Sequence, residues 1–373
     1  MRSREPGDVL REIRAMAEDL GQVQLMEICG THTMAIAKAG LKSLLPQNIR
    51  LISGPGCPVC VTPAGAVDEL LRISGISGVI MASYGDLLRV PGSRRGDSLL
   101  RRRAQGAAVR MVYSPMDALA MAEANPGRQV VFAGVGFETT APGTAACLME
   151  ARERQIDNFS VLSLLKTTEP AIRALAGAPG AASGEAEGPQ DAGADACRID
   201  GFLCPGHVAV ITGSEAFRFL PEEYGLPGVV SGFEPEDLLA SVYLLVKMLH
   251  LGRPKLVNEY SRLVRPEGNL AARKAVEQVF APSDSLWRGL GEIAGSGLAV
   301  RKEFAAWDGA RRFGFAPDPK AEAAGCRCGD VIRGLLAPEG CPLFGKSCRP
   351  EDPAGPCMVS GEGACAAAYR YRE

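Results

Sequence analysis

At 373 residues the chain exceeds what one ordinary hydrophobic core holds, so two or three domains are expected. It is 46% hydrophobic and 23% charged with a formal net charge of -2, the balance of a soluble globular protein without the basic stripe that nucleic acid requires. Residues 1–12 are charged and lack the apolar stretch of a signal peptide, and no run reaches the ~18 apolar residues of a membrane span, which reads as a cytoplasmic chain that does not enter a membrane.

In chain order, residues 6–20 read as an amphipathic helix, with Val9, Leu10, Ile13, Met16 and Leu20 at helical spacing. A repeating unit follows: a short apolar run, a Gly-rich or Cys-rich turn, then a helical pattern. Residues 23–28 lead through Cys29-Gly30-Thr31-His32 to a helix near 34–45. Residues 49–53 lead through a Gly-Pro-Gly-Cys-Pro-Val-Cys turn to a helix near 64–73. Further strands are expected at 79–82, 109–113, 130–135, 160–165, 201–203 and 228–231. Such alternation builds parallel sheets covered by helices.

The stretch 177–196 is rich in Ala, Gly, Ser and acidic residues and reads as a disordered surface insertion. Residues 234–251 form a strong helical pattern with Leu238, Leu239, Val242, Leu245, Val246 and Leu249 on one face, and another helix is expected near 268–280. After Trp307 the texture turns to Pro, Gly and Cys, which marks a ligand-stapled region from about residue 317. The arginines at 94, 95, 101, 102 and 103 read as a solvated helix face.

Six of the 12 cysteines fall in the last 48 residues: Cys326, Cys328, Cys341, Cys348, Cys357 and Cys365. A reducing cytosol argues against a disulfide framework, and a loop-rich segment needs a metal centre for order. The spacing is Cys-x-Cys and then gaps of 12, 6, 8 and 7 residues, with no Cys-x-x-Cys pair. Zinc is the plain alternative, yet its usual signature is two such pairs. Four thiolates with two spare cysteines fit an iron–sulfur cluster beside a redox pair better.

Cys29 ends a predicted strand just before a helix, where ligands of α/β sheets collect. A helix N-terminus and a nearby imidazole, His32, favour a thiolate there. The competing reading is an inert buried cysteine beside a hydrogen-bonded histidine. Cys57-Pro58-Val59-Cys60 on a turn entering a helix has the form of a thiol–disulfide exchanger. Its alternative is half of a zinc site completed by Cys29 and His32. The stretch 134–142, with Gly134, Gly136 and Glu138, could offer backbone amides to an anion, but Thr139 stands where a dinucleotide fingerprint needs glycine. Cys204-Pro205-Gly206-His207 holds the equivalent strand end in a second unit. Cys147 reads as helix packing and Cys197 as part of the insertion.

The segments MEICGTHTMAIAKAG, SGPGCPVCVTP, LLRVPGS, GFETTAP, IDGFLCPGH and CPLFGK…GPCMVSGEGAC resemble the HypD family of [NiFe]-hydrogenase maturation factors, over residues 25–371. The resemblance implies two Rossmann-like parallel-sheet domains plus a small cysteine-rich iron–sulfur domain. Combined with the pattern above, it suggests divisions at 1–140, 141–260 and 261–373. It implies a scaffold with redox activity rather than a metabolic enzyme, on which a transient iron acquires cyanide and carbon monoxide. A HypC-like small partner would share that iron with Cys29, and a HypE-like partner would donate cyanide. By the same resemblance His32 positions or protonates ligands, and Cys57 and Cys60 exchange electrons with the cluster region. The [4Fe–4S] ligands fall on Cys326, Cys341, Cys348 and Cys365, which leaves Cys328 and Cys357 as a redox-active disulfide. Glu362 lies in the matching motif without an assigned role. Two departures stand out: the 177–196 insertion, and a 162–170 segment without the histidine and double proline expected there. The rivals from other classes are a ferredoxin-linked thiol–disulfide reductase and a zinc-stapled binding protein.

Overall fold

A computed structural model describes residues 5–177 and 198–371. The expected insertion (but for Gly177) and Cys197 lie outside the described residues. Among the described residues, nine strands form two wholly parallel sheets. The first sheet has the order β2-β1-β7-β8-β9, built from β1 (Val23–Glu27), β2 (Ile49–Ser53), β7 (Gly201–Pro205), β8 (Gly228–Ser231) and β9 (Leu256–Asn258). The second has the order β4-β3-β5-β6, from β3 (Val79–Ser83), β4 (Val109–Met111), β5 (Gln129–Gly136) and β6 (Phe159–Leu165). The fold class is therefore the expected one: α/β, with two parallel-sheet units and a cysteine-rich region.

Helices close both faces of each sheet, so the central strands are largely apolar. Pro6–Glu18 and Pro235–His250 cover one face of the first sheet through Val9, Ile13, Leu238, Val242 and Leu245. Phe202, Phe217, Phe219 and Leu220 fill the other. Helices Pro115–Glu123 and Ala141–Glu153 cover the second sheet from one side. On its opposite side, helix Ala64–Ser74 shares one core with Cys57, Cys60, Trp287 and the pocket cysteines Cys328, Cys348, Cys357 and Cys365. The cysteine-rich region is thus welded to the second sheet and to the Cys57–Cys60 turn.

Four differences from expectation stand out. The sheets do not follow chain order: β1 takes β7 as its second neighbour, so the first sheet is built from residues before 54 and after 200. A linear division at residue 140 cuts through the second sheet's unit, between β5 and β6. The helix expected near 34–45 starts earlier, at Gly30, and breaks at Gly40, whose φ of 60° no helix continues. Residues 280–300 pair as an antiparallel hairpin, β10 (Phe280–Trp287) with β11 (Gly291–Val300), which docks beside β6 through the Ser163 hydroxyl on the Leu298 carbonyl at 2.6 Å. Among the described residues, no helix is long and apolar enough to cross a membrane.

Candidate functional site

The first sheet's strand ends converge on Cys29. It is the N-cap of helix Gly30–Lys38, with extended backbone (φ -161°, ψ 120°), and is 1% exposed. Its N–H donates to Glu27 Oε2 at 3.0 Å, and the Thr33 hydroxyl donates to the other carboxyl oxygen. Glu27 is itself buried, and burial raises its pKa to about 8 against the hydrogen bonds from Thr33 and Cys29. A carboxyl that is mostly protonated at neutral pH clamps the helix start without placing a full charge beside the sulfur.

This arrangement yields a signed pH prediction. An unfolded Glu27 titrates near 4.5 and the folded one near 8, so rising pH costs the native state its advantage across that window and no further. Glu27→Gln keeps an acceptor for the Cys29 N–H and removes the titration. The variant should gain on the wild type by about 1.4 kcal/mol per pH unit, or roughly 2–3 kcal/mol between pH 5.5 and 7.5. Thermal midpoints of both chains across that range read it out; a difference that does not move with pH contradicts the assignment.

The imidazole at Cys29 is that of His207. Its Nε2 lies 3.6 Å from Cys29 Sγ, delivered from the end of β7 by helix Gly206–Thr212. Burial lowers the His207 pKa, so the ring stands ready to take a proton rather than already carrying one. His32 turns away from the sulfur: its Nε2 pairs with the Gly232 carbonyl at 3.0 Å, and its Nδ1 is buried without a partner among the described residues. Burial pushes the His32 pKa down to about 4. Phe233 packs against both rings, with centroids 4.8 Å from His32 and 5.1 Å from His207.

Helix-end amides at Thr31 and His32 favour the Cys29 thiolate, as expected, but burial outweighs them and raises the thiol's pKa. In the free chain Cys29 is a neutral thiol. A soft metal ion reverses that balance, because it binds sulfur only as thiolate and drives the proton off.

Two other parts of the chain press on this corner. Gly56, just before Cys57, accepts the Gly30 N–H at 3.0 Å, and a Cβ on Gly56 would drive into the backbone of Cys29. From the cysteine-rich region, Glu362 Oε1 accepts the Thr31 hydroxyl at 2.6 Å. A Cβ on Gly30 would stand 2.5 Å from the Glu362 Cβ and 2.8 Å from its carbonyl oxygen. Cys57 and Cys60 are joined as a disulfide, and Cys60 Sγ approaches the Pro356 carbonyl at 3.9 Å, next to Cys357. Cys29, the Cys57–Cys60 turn and Cys357 are consecutive neighbours in space.

The six C-terminal cysteines line one small cavity walled by Val331, Leu343, Phe344 and Met358. None of the six is in a disulfide. Cys328 and Cys357, expected as a disulfide, are free thiols in mutual hydrogen-bond contact, and Cys326 bonds Cys328 in turn. Burial and the neighbouring sulfurs raise the Cys365 pKa, and burial raises that of Cys348. Gly355 packs so closely on Cys326 Sγ that a Cβ would collide with it. Among the described residues, no three Cys, His, Asp or Glu side chains are already closed around a single ion. A small apolar-walled pocket of convergent soft donors fits an iron–sulfur cluster held by thiolates.

The 134–142 turn does not present an open amide cradle. Thr140 and Ala141 give their N–H groups to the Phe137 carbonyl, and the buried Glu138 carboxyl takes the Thr168 N–H at 2.7 Å. Cys147 packs inside its helix against the Pro115 carbonyl, and Cys204 is fully buried in β7. Sequence reasoning missed Glu27 and Phe233. An acidic residue inside an apolar strand was the available signal for Glu27; Phe233 carried none.

A family model for HypD, described as "Hydrogenase formation hypA family", matches residues 6–372. The hydrogenase maturation factor HypD of Azotobacter vinelandii is 45% identical over 360 residues, 96% of this chain and 92% of that protein. HypD of Cupriavidus necator is 43% identical over 364 residues, 97% and 93% of the two chains. HypD of Escherichia coli is 44% identical over 352 residues, 94% and 90%.

Proposed function

The chain belongs to the HypD family and serves hydrogenase maturation, and on that premise we propose that it is the scaffold on which an iron ion receives cyanide and carbon monoxide. The observation that carries the reading is spatial: Cys29, the Cys57–Cys60 pair and the six-thiol pocket lie in contact sequence although the chain scatters them. In this reading Cys29 holds the incoming iron as a thiolate, together with a cysteine of a HypC-like partner, while a HypE-like partner supplies cyanide. His207, 3.6 Å away, takes the thiol proton as the metal binds. His32, held on Gly232, keeps Phe233 against that imidazole.

Cys326, Cys341, Cys348 and Cys365 would hold a [4Fe–4S] cluster, leaving Cys328 and Cys357 as an adjacent dithiol. When bound, the cluster supplies single electrons at low potential. Reducing the Cys57–Cys60 disulfide takes two electrons and two protons, and a dithiol beside a one-electron centre converts between the two modes. Both cysteines are almost wholly covered, at 4% and 2% exposed, which disfavours a reductase that exchanges with diffusible disulfides.

Iron and acid-labile sulfide assays with an absorption spectrum, on protein purified without oxygen, test the cofactor. About four of each per chain and a broad visible band are expected. Colourless protein carrying zinc overturns the relay.

A further inference from the structure

The hairpin β10–β11 sends its tip between the Cys57–Cys60 turn and the cysteine pocket. Trp287, 1% exposed, anchors that tip: its indole N–H donates to Ser296 Oγ at 2.7 Å and its ring stacks on Phe137 with centroids 5.8 Å apart. Lys166 fastens the same strand by donating to Ser285 Oγ at 2.5 Å and the Leu286 carbonyl at 2.8 Å. Two residues on, Gly289 (φ +79°) lies against Gly329, the residue after Cys328, so closely that neither admits a Cβ.

Arg288 is fixed between these contacts. Its N–H donates to the Val61 carbonyl and its Nε to the Thr62 carbonyl, both at 2.9 Å, on the backbone that leaves Cys60. Its Nη2 is buried and has no partner among the described residues. The Arg288 guanidinium lies within electrostatic range of Cys326, Cys328 and Cys357. Those are three of the six pocket cysteines, and the Arg288 hydrogen bonds to Val61 and Thr62 tie it to the Cys57–Cys60 side. A half-buried arginine with a covered spare donor at Nη2, pinned at the junction of two sulfur sites, needs a reason beyond holding two carbonyls, because an unsatisfied cationic N–H is costly.

We propose that Arg288 is a positioning residue that sets the reduction potential of the cysteine-rich centre, its guanidinium stabilising the electron-rich form. The inference rests on the cluster reading above. Uptake of one electron adds one negative charge inside an apolar-walled pocket, and a fixed neighbouring cation offsets that charge. Without the cation, the ratio of reduced to oxidised centre at a fixed ambient potential falls about tenfold, a downward shift of about 59 mV for a one-electron couple.

The test is an anaerobic titration of the full chain with dithionite, followed by electron paramagnetic resonance, on wild type, R288Q and R288K. The Gln variant should titrate about 59 mV lower. The Lys variant keeps the charge but gives up the planar two-point hold, and should return most of the way to wild type. Should the Gln chain fail to fold, R288M, which keeps the apolar stem, reads the same shift. A neutral variant that matches wild type overturns the proposal, as does a Lys variant that shifts as far as Gln, which would make the role one of hydrogen bonding alone. A wild-type chain that assembles no cluster overturns the underlying reading and this inference with it, and is distinguished by its absent signal.

Discussion

If the chain is the proposed iron scaffold, replacing Cys29 with serine is expected to abolish iron bound outside the cysteine pocket and to leave the pocket's iron and sulfide unchanged. The substitution exchanges one chalcogen for another at nearly constant volume, so the N-cap geometry and the 3.0 Å bond from its N–H to Glu27 survive. What changes is the donor. A serine hydroxyl is hard and keeps its proton, whereas low-valent iron with strong-field ligands requires a soft thiolate. Loss of a primary ligand should exceed the ~10–100-fold penalty known for supporting residues around metal sites. Metal analysis of both chains, purified without oxygen with the small partner, provides the measurement. Equal retention of the extra iron would place it on some other residue.

Gly56→Ala should damage the same site nearly as severely although it removes no functional group. An added methyl would stand 2.6 Å from the Cys29 carbonyl carbon and nearer still to its N and Cα, all backbone atoms that cannot rotate aside. Either the Cys29 corner or the Cys57–Cys60 turn must retreat, which breaks the 3.0 Å bond from Gly30 N–H to the Gly56 carbonyl. Overpacking of this kind costs about 1–3 kcal/mol or more. The thermal midpoint should fall by several degrees, and retention of the Cys29 iron should fall with it, because the sulfur loses its fixed place. A variant with wild-type midpoint and iron content would show that the two cysteine motifs are not mechanically coupled.

Much of this architecture was legible in the sequence because it is local. Apolar runs ended by glycine and cysteine turns mark β1, β2 and β7, and the same turns carry Cys29, the Cys57–Cys60 pair and His207. The Cys-x-Cys opening and uneven gaps mark the C-terminal centre without choosing its four ligands. What stayed hidden is non-local. Periodicity says that β1 is buried on both faces but not that β7 lies beside it, so the interleaving of the two sheets was out of reach. His32 adjoins Cys29 in sequence, yet the helix beginning at Gly30 carries its ring toward Gly232 and leaves the sulfur to His207. The hairpin at 280–300 lacks clear alternation and contains Pro282, so neither it nor Arg288 at its tip announced itself. Gly30, Gly56 and Gly363 look like ordinary turn residues until the backbones of Glu362, Cys29 and Cys357 are found against them.

Infrared spectroscopy of the chain isolated without oxygen, together with its small partner, tests the central claim most directly. Triple-bonded cyanide and carbon monoxide on iron absorb in a window free of protein bands. The account predicts both sets of bands in the wild type and their loss in the Cys29→Ser chain, whose cluster colour persists. A wild-type complex that holds cluster and extra iron but shows neither set of bands when all partners are supplied would contradict it.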